Sequence, residues 1–132
     1  MHGIKDKKWG INLIVNGIYI KDKIIFYQLA IKNNSSIDYD IDLVNLYIRD
    51  KIKGKRTTAQ EQEQQPLYVT GNMKTVKAGD KNVIVVALPK FTIPDAKYLA
   101  IQIMEKNGGR NLKLKIGNKK ILKAIKLPDQ KG

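Results

Sequence analysis

Alternation of apolar and polar residues along two neighbouring segments is the feature of this chain that most constrains its fold. Leu99, Ile101 and Ile103 are each separated by one residue, and residues 112–116 (LKLKI) repeat the same period of two. Such a period places every second side chain on one face, which is typical of a half-buried β-strand. Between the two segments, residues 107–110 (NGGR) favour a tight turn with the glycine pair at its tip. We therefore predict an antiparallel hairpin in this part of the chain.

Comparable apolar segments recur at intervals of roughly ten residues, the spacing typical of an all-β domain. Turn-forming residues separate these segments, which are residues 10–20, 25–32, 41–48, 67–69, 82–88 and 121–127. Helical periodicity is almost missing and each segment has one apolar face to bury, so a sandwich or a barrel satisfies the pattern. We predict an all-β fold, an antiparallel, immunoglobulin-like β-sandwich of seven to nine strands. Residues 57–65 (TTAQEQEQQ) fit either a short helix, with Thr58 and Glu61 as its capping box, or an extended connector.

The length of 132 residues fits one domain with a single core. We predict a single β-sandwich domain over residues 1–132, with flexible ends at residues 1–9 and 128–132. The longest uninterrupted apolar run, residues 83–88, is far shorter than the ~20 residues that a membrane-spanning helix needs. No apolar segment follows the basic residues near the N-terminus, so the sequence shows no export signal.

The composition removes most catalytic chemistry from consideration. The chain has no cysteine, and its single histidine, His2, lies near the N-terminus. Thiolate nucleophiles, disulfides and thiolate metal sites are therefore excluded, and the commonest general base is missing from the rest of the chain. No nucleotide-binding or phosphate-binding glycine motif is present. We expect a protein without enzymatic activity and without a cofactor.

A net charge of +13 points to an anionic partner such as nucleic acid, an anionic lipid or an acidic protein surface. The alternative is that lysines on the polar faces of strands give solubility and prevent edge-to-edge aggregation. For nucleic acid, the candidates are Arg110, Lys113 and Lys115 beside Tyr98, which combine basic side chains with a stacking ring. Four other rings lie in or beside apolar segments and are interpreted as core residues, namely Trp9, Phe26, Tyr27 and Phe91.

Three acidic residues, Asp38, Asp40 and Asp42, are spaced so that one strand face would carry all three carboxylates. Carboxylate oxygens bind hard cations such as calcium, so a metal site or a lectin-like, carbohydrate-binding domain is one alternative. The glycine and the distal glutamate of an EF-hand loop are missing, however. Pairing with part of the lysine excess, or exposure to water, is the other interpretation.

Protein association is a further interpretation, because an edge strand of an open sandwich can accept a strand from a partner through backbone hydrogen bonds. Residues 83–88 and 112–116 are the candidate edges. In the alternative arrangement, both segments lie in the middle of their sheets and neither is open to a partner.

Three stretches of the sequence are more specific than strand and turn composition requires. They are residues 37–51 (IDYDIDLVNLYIRDK), 55–69 (KRTTAQEQEQQPLYV) and 88–112 (LPKFTIPDAKYLAIQIMEKNGGRNL). Together they resemble the C-terminal part of the TraN family of Bacteroides-type conjugative transposon proteins. The resemblance covers residues 18–123 and implies that the chain is the C-terminal fragment of a longer exported protein.

The resemblance implies a non-enzymatic structural component of a conjugative transfer apparatus, similar in outline to the outer-membrane complex of type IV secretion systems. It also implies a periplasmic or outer-membrane-associated location in a Gram-negative bacterium, with other apparatus proteins as partners, among them a lipoprotein. The charged and turn residues of the matching stretches are the candidate partner-binding residues, Arg49, Lys90, Lys106 and Arg110, to which the basic strand adds Lys113 and Lys115. The rival hypothesis is a single-stranded DNA-binding domain that uses its basic face.

Overall fold

The structure, a computed structural model, describes residues 4–50, 61–90 and 96–125. These residues form ten strands and one helix, in chain order β1 (Lys5–Lys8), β2 (Ile11–Lys21), β3 (Ile24–Asn33), β4 (Tyr39–Asp50), β5 (Glu61–Glu63), β6 (Tyr68–Gly71), β7 (Thr75–Val76), β8 (Lys81–Pro89), β9 (Lys97–Glu105), β10 (Leu112–Ile116) and α1 (Asn118–Ile125). The predicted all-β sandwich is confirmed, because two five-stranded antiparallel sheets pack together. The strand count exceeds the predicted seven to nine, since β5 and β7 have only three and two residues and leave no periodic signal.

The first sheet has the strand order β1-β2-β3-β8-β6. Along much of the length of β2 and β3, buried residues alternate with more exposed ones, as half-buried strands require. A two-residue turn joins β2 to β3, and its residues Asp22 and Lys23 both have positive φ, the geometry that a tight hairpin needs. A β-bulge between Val15 and Gly17 shifts the register of β2 against β3.

The second sheet has the strand order β10-β9-β4-β5, and the short strand β7 pairs with the start of β4. The predicted hairpin of β9 and β10 is confirmed, with Leu112 opposite Ile103 and Ile116 opposite Leu99. Its turn differs from the expectation in one detail, because Asn107 adopts the left-handed conformation, at φ 56°, and the two glycines after it do not. The turn therefore relies on asparagine, which tolerates this conformation better than most residues.

The core lies between the two sheets and consists of the inward side chains that the alternation predicted. Leu99, Ile101 and Ile103 of β9 are completely buried, in one cluster with the inward residues of β2 and β3. Each buried aliphatic side chain contributes roughly 1.5–3 kcal/mol through the hydrophobic effect. Tyr27 is buried in the core as expected. The prediction for Trp9 is wrong, because this residue lies in the β1–β2 turn with positive φ and is 57% exposed.

One side of the sandwich is closed by contacts between β1 of the first sheet and β10 of the second. The backbone N–H of Lys113 donates a hydrogen bond of 2.9 Å to Oδ2 of Asp6, and Ile4 is buried in the core. Residues 4–8 are therefore part of the fold, which corrects the expectation of a flexible end there. Of the two candidate edges, residues 83–88 lie in β8 between β3 and β6 and are not an edge, whereas residues 112–116 form the edge strand β10.

Residues 118–125 are helical, so the strand predicted over residues 121–127 is wrong for residues 121–125, the part that the structure describes. Helix α1 follows Gly117, whose carbonyl accepts the backbone N–H of Ile121. The segment consists largely of lysine, leucine and alanine, which favour a helix over a strand. The helix packs against β2, and the Ile121 side chain is buried in the core.

Parts of several predictions fall on residues outside the described ranges. They are Phe91 as a core residue, residues 1–3 and 128–132 of the flexible ends, residues 126–127 of the last predicted strand, and residues 57–60 of the low-complexity segment. The end of that segment is extended, because Glu61–Glu63 form β5 and pair with β4. Within the described part of the chain, no helix is long and apolar enough to span a membrane.

Candidate interaction face

The outward side chains of the first sheet form the candidate interaction face, which we call the lysine–aromatic face. Strand register places them in rows that cross the sheet from strand to strand. From one end of the strands to the other, the rows are Lys7, Asn12, Lys32 and Lys81; Lys5, Ile14, Ala30 and Val83; Gly17, Gln28, Val85 and Thr70; Tyr19, Phe26, Ala87 and Tyr68; and Lys21, Ile24 and Pro89. The face is therefore basic at both ends and largely apolar between them.

The aromatic row exposes large apolar side chains. Tyr19 and Tyr68 are 44% and 46% exposed, and Val83 on the same face is 38% exposed. The ring centroids of Phe26 and Tyr68 lie 6.2 Å apart at an interplanar angle of 56°. The two rings flank Ala87, which is fully buried although it points outward. Phe26, expected in the core, thus lies half-buried on the outer face, in a cluster of rings typical of protein contact surfaces.

Gly17 provides the space in which the Tyr19 ring lies. A Cβ atom at residue 17 would collide with the end of that ring. The Tyr19 hydroxyl donates a hydrogen bond of 3.4 Å to Oε1 of Gln28 on the neighbouring strand. Gly17 directly follows the β-bulge of β2. The irregular part of this strand therefore determines where the exposed Tyr19 ring lies.

Five lysines on this face have no ion-pair partner among the described residues. Lys5, Lys7, Lys21, Lys32 and Lys81 are all exposed, and none forms a salt bridge within the described residues. Lys32 and Lys81 are direct partners on adjacent strands, where like charges destabilise a sheet. No outward strand residue in the described part of the first sheet is acidic. Within the part of the chain that the structure describes, the positive charge of the lysine–aromatic face is therefore not balanced by carboxylates.

The outward face of the second sheet differs, because its cations already have partners. Arg49 forms an ion pair of 3.3 Å with Glu61. The ammonium groups of Lys113 and Lys115 lie 6.0 Å and 5.4 Å from the centroids of tyrosine rings on β4 and β9. A polar groove of about 510 Å³ lies on this face, lined by residues of β4, β5, β9 and β10. The structure thus brings three predicted partner-binding residues together, but each already has a contact within the domain.

Arg110 is the centre of a cluster that joins the β9–β10 turn to the connection between β3 and β4. Its guanidinium donates to Oε2 of Glu105 through Nη2 at 2.7 Å and Nε at 3.0 Å. It also donates to the Ser35 hydroxyl and to the carbonyl of Asp38. The Tyr39 hydroxyl donates a 2.6 Å hydrogen bond to the Arg110 carbonyl. Because the Arg110 side chain is only 15% exposed, this Arg110 cluster leaves little of the guanidinium for a partner.

The electrostatics of the Arg110 cluster agree with a structural role. Hydrogen bonds from the Arg110 side chain lower the pKa of the Glu105 carboxyl, and burial acts in the opposite direction without reversing this shift. Burial raises the pKa of Tyr39 to about 12, with a further contribution from the Glu105 charge. Gly108 permits the geometry, because a Cβ atom there would collide with the Glu105 carboxylate.

Comparison with known proteins adds a family to this description. A family model described as a domain of unknown function, DUF4138, matches residues 1–126. The chain belongs to the DUF4138 family. A search among curated proteins found no match to the sequence.

Two further predicted partner-binding residues of this DUF4138 domain, Lys90 and Lys106, follow the ends of β8 and β9. Both are exposed, and their backbone N–H groups donate to the carbonyls of Lys23 and Asp40. The six predicted residues are therefore spread over the second sheet, the Arg110 cluster and two strand ends. Sequence reasoning missed the lysine–aromatic face because its lysines meet only through the register of four strands. The available local signal was the alternation within β2 and β3, which turns Lys21 and Lys32 outward.

The three aspartates of the DUF4138 domain do not gather around one point. Oδ1 of Asp38 accepts the backbone N–H of Ala78 at 2.9 Å, and Oδ1 of Asp40 accepts the Thr75 hydroxyl at 2.8 Å. Asp42 lies in a β-bulge of β4, where the register against β9 shifts. Among the described residues, no group of three or more histidine, cysteine or acidic side chains could hold a metal ion. Two of the carboxylates serve instead to fix β7 and the turn after it.

Proposed function

We propose that this DUF4138 domain is a non-enzymatic binding module of a conjugative-transposon transfer apparatus. The DUF4138 family is associated with TraN of conjugative transposons, which supports a TraN-type protein. In this proposal the domain acts at the envelope of a Gram-negative bacterium, in the periplasm or at the outer membrane. Its partners are other proteins of the apparatus, among them a lipoprotein.

The lysine–aromatic face is the observation that supports a binding role. Soluble domains rarely expose contiguous apolar surface without a function for it. This face combines three rings with lysines that form no ion pair with any described residue. Lys32 opposite Lys81 is a local arrangement that lowers the stability of the free sheet. Departures of this kind from local consistency are expected where a protein carries out its function.

A pull-down of individually produced proteins tests the proposed function. The full chain is immobilised at mild salt, and each transfer protein encoded beside it is offered separately. We expect at least one of them to be retained and to elute as a stoichiometric complex. If none of them binds, the proposed function is wrong.

Binding of single-stranded DNA is a second candidate function, because the same face carries both lysines and rings, the two residue types that such sites use. This alternative moves the site from the predicted Arg110, Lys113 and Lys115 to the first sheet. It requires the logarithm of the binding constant to fall steeply with the logarithm of salt concentration, by about 0.7 for each neutralised phosphate. A flat salt dependence, or no binding of an oligothymidylate at about 50 mM salt, would exclude it.

A further inference from the structure

We propose that the lysine–aromatic face docks a partner protein whose contact surface is apolar at its centre and acidic along one rim. The proposal rests on the proposed function and adds to it the position of the contact and the chemistry of the partner. It depends on the order of the rows across the sheet, on the charge balance of the lysines, and on the symmetry that a dimer would impose.

The order of the rows favours a protein over a nucleic acid. Between the lysine row of Lys32 and the aromatic row of Phe26, the outward residues of β2, β3 and β8 are uncharged and include Ile14, Val83 and Val85. Lys5 lies in the first of these rows, at its β1 end. The two rows are six residues apart along β3, about 20 Å in an extended strand. A bound single strand places phosphates beside its stacked bases, so its site needs several cations close to the rings. The rows of this face supply Lys21 alone at that position. An apolar centre with charged residues at its rim is instead typical of protein interfaces.

The two ends of the face differ, and this difference gives the partner an orientation. Lys5, Lys7, Lys32 and Lys81 lie in the first two rows, and Lys21 alone lies beyond the rings. We therefore expect the acidic rim of the partner to cover the lysine end of the face. The apolar centre of the partner would then cover the aliphatic residues and the rings.

The lysine pair supplies the charge complementarity for an acidic partner. Lys32 and Lys81 face each other on adjacent strands, and neither has an ion pair within the described residues. Their repulsion is present in the free domain and is relieved when carboxylates of a partner approach. Complementary charge of this kind steers association and rejects partners of the wrong sign.

A second copy of this chain does not fit the same face. In a two-fold dimer, a patch contacts the identical patch of the other subunit. Such an interface would enclose the five lysines of each subunit, with no carboxylate from the outward strand residues of the described first sheet among them. Such a juxtaposition of like charges is strongly unfavourable, so the occupant must be a different, acidic surface.

Association rates test the contribution of the lysine end. With the full chain and a transfer protein that binds it, we expect Lys32→Glu/Lys81→Glu to lower the association rate constant at least about tenfold at low salt. The matched control, Lys113→Glu/Lys115→Glu, reverses the same number of charges on the second sheet. We expect this control to change the rate constant by less than about threefold, because it alters only the overall charge.

Dissociation rates test the contribution of the rings. Tyr68→Ser removes an exposed ring from the edge strand β6, and we expect the complex to dissociate at least about tenfold faster while association is unchanged. Tyr98→Ser, which removes a ring from the outer face of the second sheet, is the control and should leave both rates unchanged.

The outcomes separate this inference from the proposed function. If no transfer protein binds the full chain, both are wrong. If one binds and only the second-sheet variants weaken the complex, the face is wrong and the proposed function stands. An oligothymidylate and vesicles containing phosphatidylglycerol are offered in parallel. If one of these probes binds more tightly than every transfer protein does, and Lys32→Glu/Lys81→Glu abolishes that binding, the proposed protein partner is overturned in favour of nucleic acid or membrane.

Discussion

The two sheets of the sandwich differ in what their charged side chains contact. In the second sheet and its turns, ion pairs within the domain join Arg110 to Glu105, Arg49 to Glu61 and Lys97 to Asp50. On the first sheet, five outward lysines have no ion pair within the described residues and share their face with exposed rings. In so basic a chain, positive charge alone therefore does not identify a binding surface. The informative observation is whether each charge already has a partner.

Two buried tyrosines inside the sandwich also differ in whether their polar group has a partner. Tyr39 of the second sheet donates its hydroxyl proton to the Arg110 carbonyl, whereas the Tyr27 hydroxyl of the first sheet has no hydrogen-bond partner among the described residues. Burial raises the pKa of both residues, that of Tyr39 to about 12. The second sheet thus contains polar contacts that stabilise the fold, and variants of the two sheets should separate stability from binding.

The largest effect on stability is expected at the Arg110 cluster. Arg110→Ala removes the ion pair with Glu105 and the bonds to two loop residues, so we expect the free energy of unfolding to fall by about 2–3 kcal/mol. Urea denaturation measures this change. Lys106→Ala removes an exposed positive charge from the same turn and should lower the free energy of unfolding by less than about 0.5 kcal/mol. Equal losses in the two variants would mean that the cluster does not hold the loops together.

The Arg110 cluster should also make stability depend on pH. The pKa of Glu105 is lower in the folded protein than its ordinary value of 4.5, so its contribution is fully present above that value and is lost as pH falls through the folded pKa. Wild-type protein should therefore lose more unfolding free energy on acidification than Glu105→Gln does. Urea denaturation at a series of pH values gives both curves. Parallel curves would show that the Glu105 carboxylate has no such role.

Opposite effects are expected from removing the hydroxyl groups of the two buried tyrosines. Tyr39→Phe leaves the Arg110 carbonyl without its donor and should lower the free energy of unfolding by about 1–2 kcal/mol. Tyr27→Phe removes a buried hydroxyl that no described residue hydrogen-bonds, and it should raise the free energy of unfolding by about 1 kcal/mol. Thermal denaturation of both variants measures the difference. Destabilisation by both would show that the Tyr27 hydroxyl has a hydrogen-bond partner in the folded protein.

The smallest effect on stability is expected at the lysine pair. Lys32→Glu replaces repulsion with attraction to Lys81 and should raise the free energy of unfolding by about 0.5 kcal/mol. The free energy of unfolding of the neutral variant Lys32→Gln should lie between those of the wild-type protein and Lys32→Glu. In the same protein, binding to the partner should weaken, so loss of binding would coincide with a gain in stability. A destabilised Lys32→Glu protein would contradict the assignment of this lysine to recognition.

A region is easier to predict from the sequence when its contacts join residues that are close together in the chain. The β9–β10 hairpin was predictable because alternation and turn lie within one short segment. Helix α1 is an exception, because its residues favour a helix locally, whereas the recurrence of apolar strand segments predicts a strand over residues 121–127. Tyr39 and Arg110 are 71 positions apart in the sequence, so their contact depends on the folded sandwich. The lysine pair likewise depends on the register of β3 and β8, which single-segment patterns do not determine.

The central claim is that the first sheet binds the partner, whereas polar contacts of the second sheet stabilise the fold. The most direct test is to map the contact by NMR on the isotope-labelled full chain. Backbone amide shifts are followed while a transfer protein that binds is added. We predict that the changes concentrate on β2, β3, β6 and β8, around Lys32, Phe26 and Tyr68, and that β4, β9 and β10 change little. Changes concentrated around Tyr47 and Lys113 on the second sheet would contradict this claim.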